Sequence, residues 1–227
     1  MSRHSLNFGR NRSARGIASM LALALLLVIP ARAQNSNPGV IPPQAQAHGM
    51  TYAEWTARWW QWFFSFTATT NPVADCSVGQ LGSVWFLVGV PGPTTINCSV
   101  PPGKTLFFPI INVECSNVED PPFFGATEAA RRACAKSIVD GAANLAVTVD
   151  GTSIQNLANY RFSSPNFHFV SPPNSFSGVP AGAGESVGDG YYLMLVPFSK
   201  GSHTIHFTGS FPAFAFTIDT TYQLTVN

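Results

Sequence analysis

From Thr51 to Phe66 the apolar positions return at helical intervals, and beyond Ser83 they alternate or run in short blocks bounded by Gly and Pro. The first pattern predicts a helix. Tyr52, Trp55, Trp59, Trp62, Phe63 and Phe66 share one face, and Glu54, Arg58, Gln61 and Ser65 form a polar stripe. Thr51 and Glu54 have capping-box spacing, Glu54 and Arg58 are placed to pair at i,i+4, and Asn71-Pro72 ends the segment. Trp60 and Phe64 fall outside the main arc, so the helix is apolar on more than one side. It is therefore buried between two layers or carries an exposed aromatic patch, and Trp60 is the ring expected to face solvent.

The second pattern predicts strands at 83–90, 95–100, 105–111, 160–170, 191–198, 202–209 and 214–226, with Pro109 marking an edge or a bulge. Asp150-Gly151 joins two strands within 144–157 as a hairpin. A second helix is expected from about Ala126 to Asp140. Ala130, Cys134 and Ile138 line one face, Glu128 pairs with Arg132, and Gly141 closes it. The stretch SPPNSFSGVPAGAGESVGDG (171–190) has no period and reads as a long loop. Short strands with two helices imply a mainly β domain over 51–227, an antiparallel β-sandwich of immunoglobulin-like or jelly-roll type.

The N-terminus changes the charge argument. Arg3, Arg10, Arg12 and Arg15 precede an apolar run, Ile17 to Ile29, and Ala31-Arg32-Ala33 offers a signal-peptidase site. Residues 1–33 thus read as a bacterial secretory signal, and 34–50, polar and Pro-rich, as a flexible lead-in. Of the 12 basic residues five lie in the signal, which leaves 7 against 11 acidic ones. That balance offers no footprint for nucleic acid, and nothing after residue 33 is long and apolar enough to span a bilayer. The expected location is periplasmic or extracellular.

An exported chain with Cys76, Cys98, Cys115 and Cys134 reads as carrying two disulfides. Three pairings are open; nearest-neighbour pairing closes two loops of similar size. The 21, 16 and 18 intervening residues do not suit a zinc site. No metal site is expected from histidines either, because His203 and His206, three apart on a strand, point to opposite faces, whatever His168 does across strands.

Candidate chemistry is sparse. Glu114, Glu119 and Asp120 cluster between a strand and the second helix. They could serve as acid and base of a glycoside hydrolase, although a solvated loop pinned by Cys115 describes them more simply. There is no nucleophile elbow, P-loop or dinucleotide fingerprint, and no cofactor is implied. For ligand binding the candidates are Trp60, Trp55 and His168, with carbohydrate as the class that aromatic stacking would suit. Packing of the sandwich core remains the first role for the tryptophan-rich helix.

Thr51-Tyr52, Glu54-Trp55, Trp59-Trp60-Gln61-Trp62, Gly79-Gln80, Val84-Trp85-Phe86-Leu87, Gly103-Lys104, Phe107-Phe108-Pro109-Ile110 and Gly201 with His203-Thr204-Ile205-His206-Phe207 resemble a family of exported bacterial proteins of unknown function. The resemblance spans most of the mature chain and implies export of one domain, with no mechanism attached. The sequence is thus read as an exported binding or structural module. The alternative is a secreted hydrolase acting on polysaccharide.

Overall fold

Ten of the twelve residues Thr105–Ser116 are apolar, small or β-branched enough to fill a strand buried on both faces, and this segment is the spine of the molecule. The computed structural model describes residue 37 and residues 39–227, so the signal expected over 1–33 lies outside the described residues. The strands are β1 Val84–Phe86, β2 Gly92–Val100, β3 Thr105–Ser116, β4 Ala143–Val149, β5 Thr152–Ser153, β6 Arg161–Ser163, β7 Phe167–Ser171, β8 Gly182–Leu195, β9 Gly201–Phe211 and β10 Phe216–Val226; the helices are α1 Tyr52–Phe64 and α2 Glu128–Val139. One sheet runs β1-β3-β8-β6 with β7 also on β8; the other runs β10-β9-β4-β5. The first is antiparallel except for the parallel β1–β3 pair. β2 packs along β10, where Asn227 bonds Ser99.

The two sheets face each other through β3 and β9. Phe108 and Phe207 meet with ring centroids 5.0 Å apart, and Gly209 leaves space that the Ile111 side chain occupies. The architecture is the expected β-sandwich with two helices. Asp150 and Gly151 both take positive φ and turn β4 into β5, as the Asp-Gly signal required. Pro109 sits at a bulge. Pro109 pairs with Tyr192 and Ile111 with Tyr191, which leaves Ile110 as the extra residue.

The segment 171–190 corrects the expected loop. From Gly182 it is a strand, and β8 lies at the centre of its sheet. Gly184, Gly188 and Gly190 face neighbours that leave no room for a side chain. A Cβ on Gly184 would come within 2.5 Å of the Phe169 ring, and one on Gly188 within 2.3 Å of the Trp60 indole. Composition that reads as a loop is here a strand thinned to accept rings from β7 and α1. The predicted strand 160–170 is broken at Pro165 into β6 and β7, which pair with successive parts of β8.

α1 lies across the β3–β8 sheet. Its capping box forms as expected: the Thr51 N–H and hydroxyl donate to Glu54 at 2.7 and 2.8 Å, and Thr51 accepts from the Glu54 N–H. Glu54 is thereby turned away from Arg58, which bonds Gln61 instead. Trp60, expected to be exposed, is 7% accessible and buried against β8, while Trp55 and Phe63 on the predicted inner arc are half-buried. The helix is gripped on both sides. Trp60 and Phe64 meet β7 and β8, and Trp59 and Trp62 meet the segment 66–88.

α2 buries Arg131, Ala135 and Val139, a face one position on from the expected Ala130–Cys134–Ile138 line. Glu128 and Arg132 do pair, at 2.7 Å. Cys115 bonds Cys134 and Cys76 bonds Cys98, which is the nearest-neighbour pairing. The expected flexible lead-in is, over its described part, docked. Val40 bridges Leu195, Ile41 accepts from Tyr52, Ala47 accepts from Trp55, and Asn37 makes two bonds to the Gln155 backbone.

Candidate functional site

Where α1, the β3 bulge and the start of β10 converge, the two sheets and the helix do not close on each other. A cleft of about 350 Å³ remains. Its walls are Trp59, Trp60 and Phe63 from α1, Pro109 to Asn112 from β3, Val90 between β1 and β2, Phe216 and Ile218 from β10, and Phe176-Ser177. The bulge explains the opening: the extra residue bends β3 here, and proline supplies no N–H to close it. The segment carrying Phe176 is held on the helix end by two backbone bonds, Phe176 N–H to Phe66 and Ala68 N–H to Asn174. Shallower depressions border Glu54, Gln61 and His168, and Arg132, Arg161 and Asp189.

The polar atoms of the cleft wall are mostly committed inward. The Trp59 indole N–H donates to the Leu87 carbonyl at 2.9 Å, and that of Trp60 to the Tyr192 hydroxyl at 3.2 Å. The Asn112 amide N–H also donates to Tyr192, at 3.1 Å. Thr56 gives its own proton to the Tyr52 carbonyl at 3.0 Å. Tyr192 therefore accepts from both Trp60 and Asn112. Complete burial raises the Tyr192 pKa well above that of an ordinary tyrosine, so it stays a neutral hub. With its NH2 on Tyr192, the Asn112 amide has no partner for its oxygen among the described residues.

The residues singled out from sequence do not converge. Trp60 lines the cleft as a buried wall. Trp55 stacks edge-on against His48 and Phe86 and uses its N–H on Ala47. His168 is exposed on β7, 3.6 Å from Glu185, and borders the shallower groove. His203 bridges Asp150 and the Ser199 carbonyl, and its pKa is raised chiefly by the bond to Asp150. His206 bonds Asp219 at 2.9 Å. Among the described residues no group of three or more His, Cys, Asp or Glu is placed to hold a metal ion.

The acidic cluster is not the solvated loop it was expected to be. Glu114 is buried on β3, and Glu119 reaches back over it while accepting from the Ser116 hydroxyl at 2.8 Å. Asp120 alone is exposed. The Ser186 hydroxyl lies within reach of both Glu114 and the Cys115 carbonyl, and it has one proton for two acceptors. A protonated Glu114 resolves the conflict by leaving Ser186 free to donate to Cys115. Burial first, and then the Glu119 carboxyl, raise the Glu114 pKa well above the ordinary range. Two carboxyls close enough to share a proton leave no room for the water or sugar that a glycosidase pair holds at about 5–9.5 Å.

Sequence reasoning missed Asn112, Phe176, Ser177 and Phe216 as cleft residues. Pro109 was the available signal, since a proline inside a strand foretells a bulge and bulges gather near sites. Comparison with protein-family models, curated proteins and solved structures finds no match.

Proposed function

We propose that this chain is an exported binding module and that the cleft between α1, β3 and β10 is its ligand site. The observation that carries the reading is the cleft itself. It has the volume of a small-molecule pocket, and five aromatic rings and one unsatisfied amide oxygen lie along its wall. Export is supported by the leader-like residues 1–33 and by two disulfides, which persist in oxidising compartments. No helix among the described residues is long and apolar enough to cross a membrane. Of the residues that carry the resemblance to exported bacterial proteins, Trp59, Trp60, Pro109 and Ile110 line the cleft. Hydrolysis gains no support from the acidic cluster, in which Glu114 is buried in the sheet and Glu119 is bonded to Ser116.

The test is a fragment screen by ligand-observed NMR on the parent and on Val90→Trp. Val90 is half-buried on the cleft wall, and a larger ring there fills the space. Fragments that bind the parent should lose binding to the variant while its melting temperature holds. Hits that bind both proteins equally would show that the site lies elsewhere.

A further inference from the structure

The chemistry of the wall narrows what can enter. None of its residues is ionisable. Both tryptophan N–H groups are used inside the protein, so the rings offer only apolar and π surface. Ser177 is bonded to Ser175 at 2.7 Å and accepts from Val179. The Val90 N–H donates to Thr220 at 2.8 Å, and the Val90 carbonyl accepts from the same hydroxyl. One side-chain atom of the wall is left without a partner among the described residues, the Asn112 oxygen, and it is an acceptor.

A charged ligand would lose its hydration here and gain no counter-charge. A sugar would bring several hydroxyls and find one free side-chain partner. A cavity of roughly 150 Å³ with an apolar lining holds benzene, so about 350 Å³ admits a molecule of two fused rings. We infer that the cleft takes an uncharged, largely apolar molecule of about two rings that donates a single hydrogen bond to Asn112. This rests on the reading of the cleft as the ligand site and adds to it the class of ligand.

Four probes separate the possibilities by calorimetry on the parent: indole, 1-methylindole, indole-3-carboxylate and glucose. Indole has the size, neutrality and donor; 1-methylindole lacks the donor; the carboxylate adds charge; glucose tests the carbohydrate alternative. Indole should bind, and 1-methylindole should bind about tenfold more weakly, because a desolvated acceptor is left unpaired. The carboxylate and glucose should bind more weakly still or not at all. Val90→Trp should abolish indole binding, and Asn112→Leu should make indole and 1-methylindole equal. Equal binding of the two to the parent, with Val90→Trp blocking both, would overturn the donor assignment and leave the cleft as the site. Tighter binding of the carboxylate or of glucose than of indole would overturn the neutral, apolar class. Failure of all four to bind the parent, while fragments of the screen still bind it and not Val90→Trp, would overturn this inference and leave the cleft as the site. Should Asn112→Leu fail to fold, the parent's ranking of the four probes decides alone.

Discussion

At the residue scale the least ordinary side chain is Glu114, an acid in the middle of a sheet. Its neighbours are chosen for a neutral carboxyl: Glu119, Ser186 and the disulfide-bonded Cys115 present no cation to it. The folded state therefore keeps a proton that the unfolded chain releases near 4.5. With the folded pKa raised, Glu114's contribution to stability is fully present below the unfolded value and is lost as pH rises through the folded one. His203 acts in the same direction, its pKa raised by Asp150, so the parent's profile sums both groups. Glu114→Gln isolates the acid, because the amide imitates the protonated form. Urea melts from acid to mildly alkaline pH should show the parent losing stability as pH rises and the variant losing less. Superimposable slopes would mean that Glu114 is ionised in the fold.

Among the elements, α1 carries the most aromatic rings. Trp59 stacks on Phe63 at 4.9 Å, meets Trp60 edge-on at 5.0 Å and anchors its N–H on Leu87. Removing that ring opens a cavity between helix and sheet, and Trp59→Ala should cost about 3–5 kcal/mol, as for other buried aromatics. Denaturant melts check it; a loss under about half a kcal/mol would place Trp59 among ordinary surface positions. The same helix shows how far local pattern reaches. Helical periodicity places Trp59 and Trp62 correctly, yet Trp60 is buried because β8 supplies Gly188 beneath it. A moment computed from one helix cannot register a gap in a strand more than a hundred residues away.

Over the whole molecule the two disulfides tie separate elements together. Cys76–Cys98 ties the segment after α1 to β2, and Cys115–Cys134 ties the end of β3 to α2, closing separations of 22 and 19 residues. Each should contribute roughly 3 kcal/mol by constraining the unfolded chain. Among the described residues no cysteine is free, so thiol titration of the denatured, unreduced protein should read zero. A stoichiometric signal would contradict the pairing. Arg161 adds a polar clamp of its own, bonding Asp189 on β8 and Asp140 at the end of α2.

Local chemistry made several features legible before any contact was known. The capping box at Thr51, the Asp150-Gly151 turn, the Glu128–Arg132 pair and the bulge at Pro109 each depend on residues close in sequence, so their energetics are contained in the stretch itself. The sandwich class followed from strand-length apolar blocks in the same way. What depended on partners far along the chain was not legible. β8 looked like a loop because its glycines have meaning only beside Phe169 and Trp60. In sequence Glu114 groups with a solvated acidic loop, because the contacts that bury it come from Ser186, 72 residues on, and from Glu119 folding back. The cleft is the extreme case. It is the volume left unfilled where a helix, a bulge and a final strand meet, and the Asn112 oxygen is free only because Tyr192, 80 residues away, has taken its amide. Absent atoms leave no trace in a sequence, and only the packing of the whole chain decides where they are.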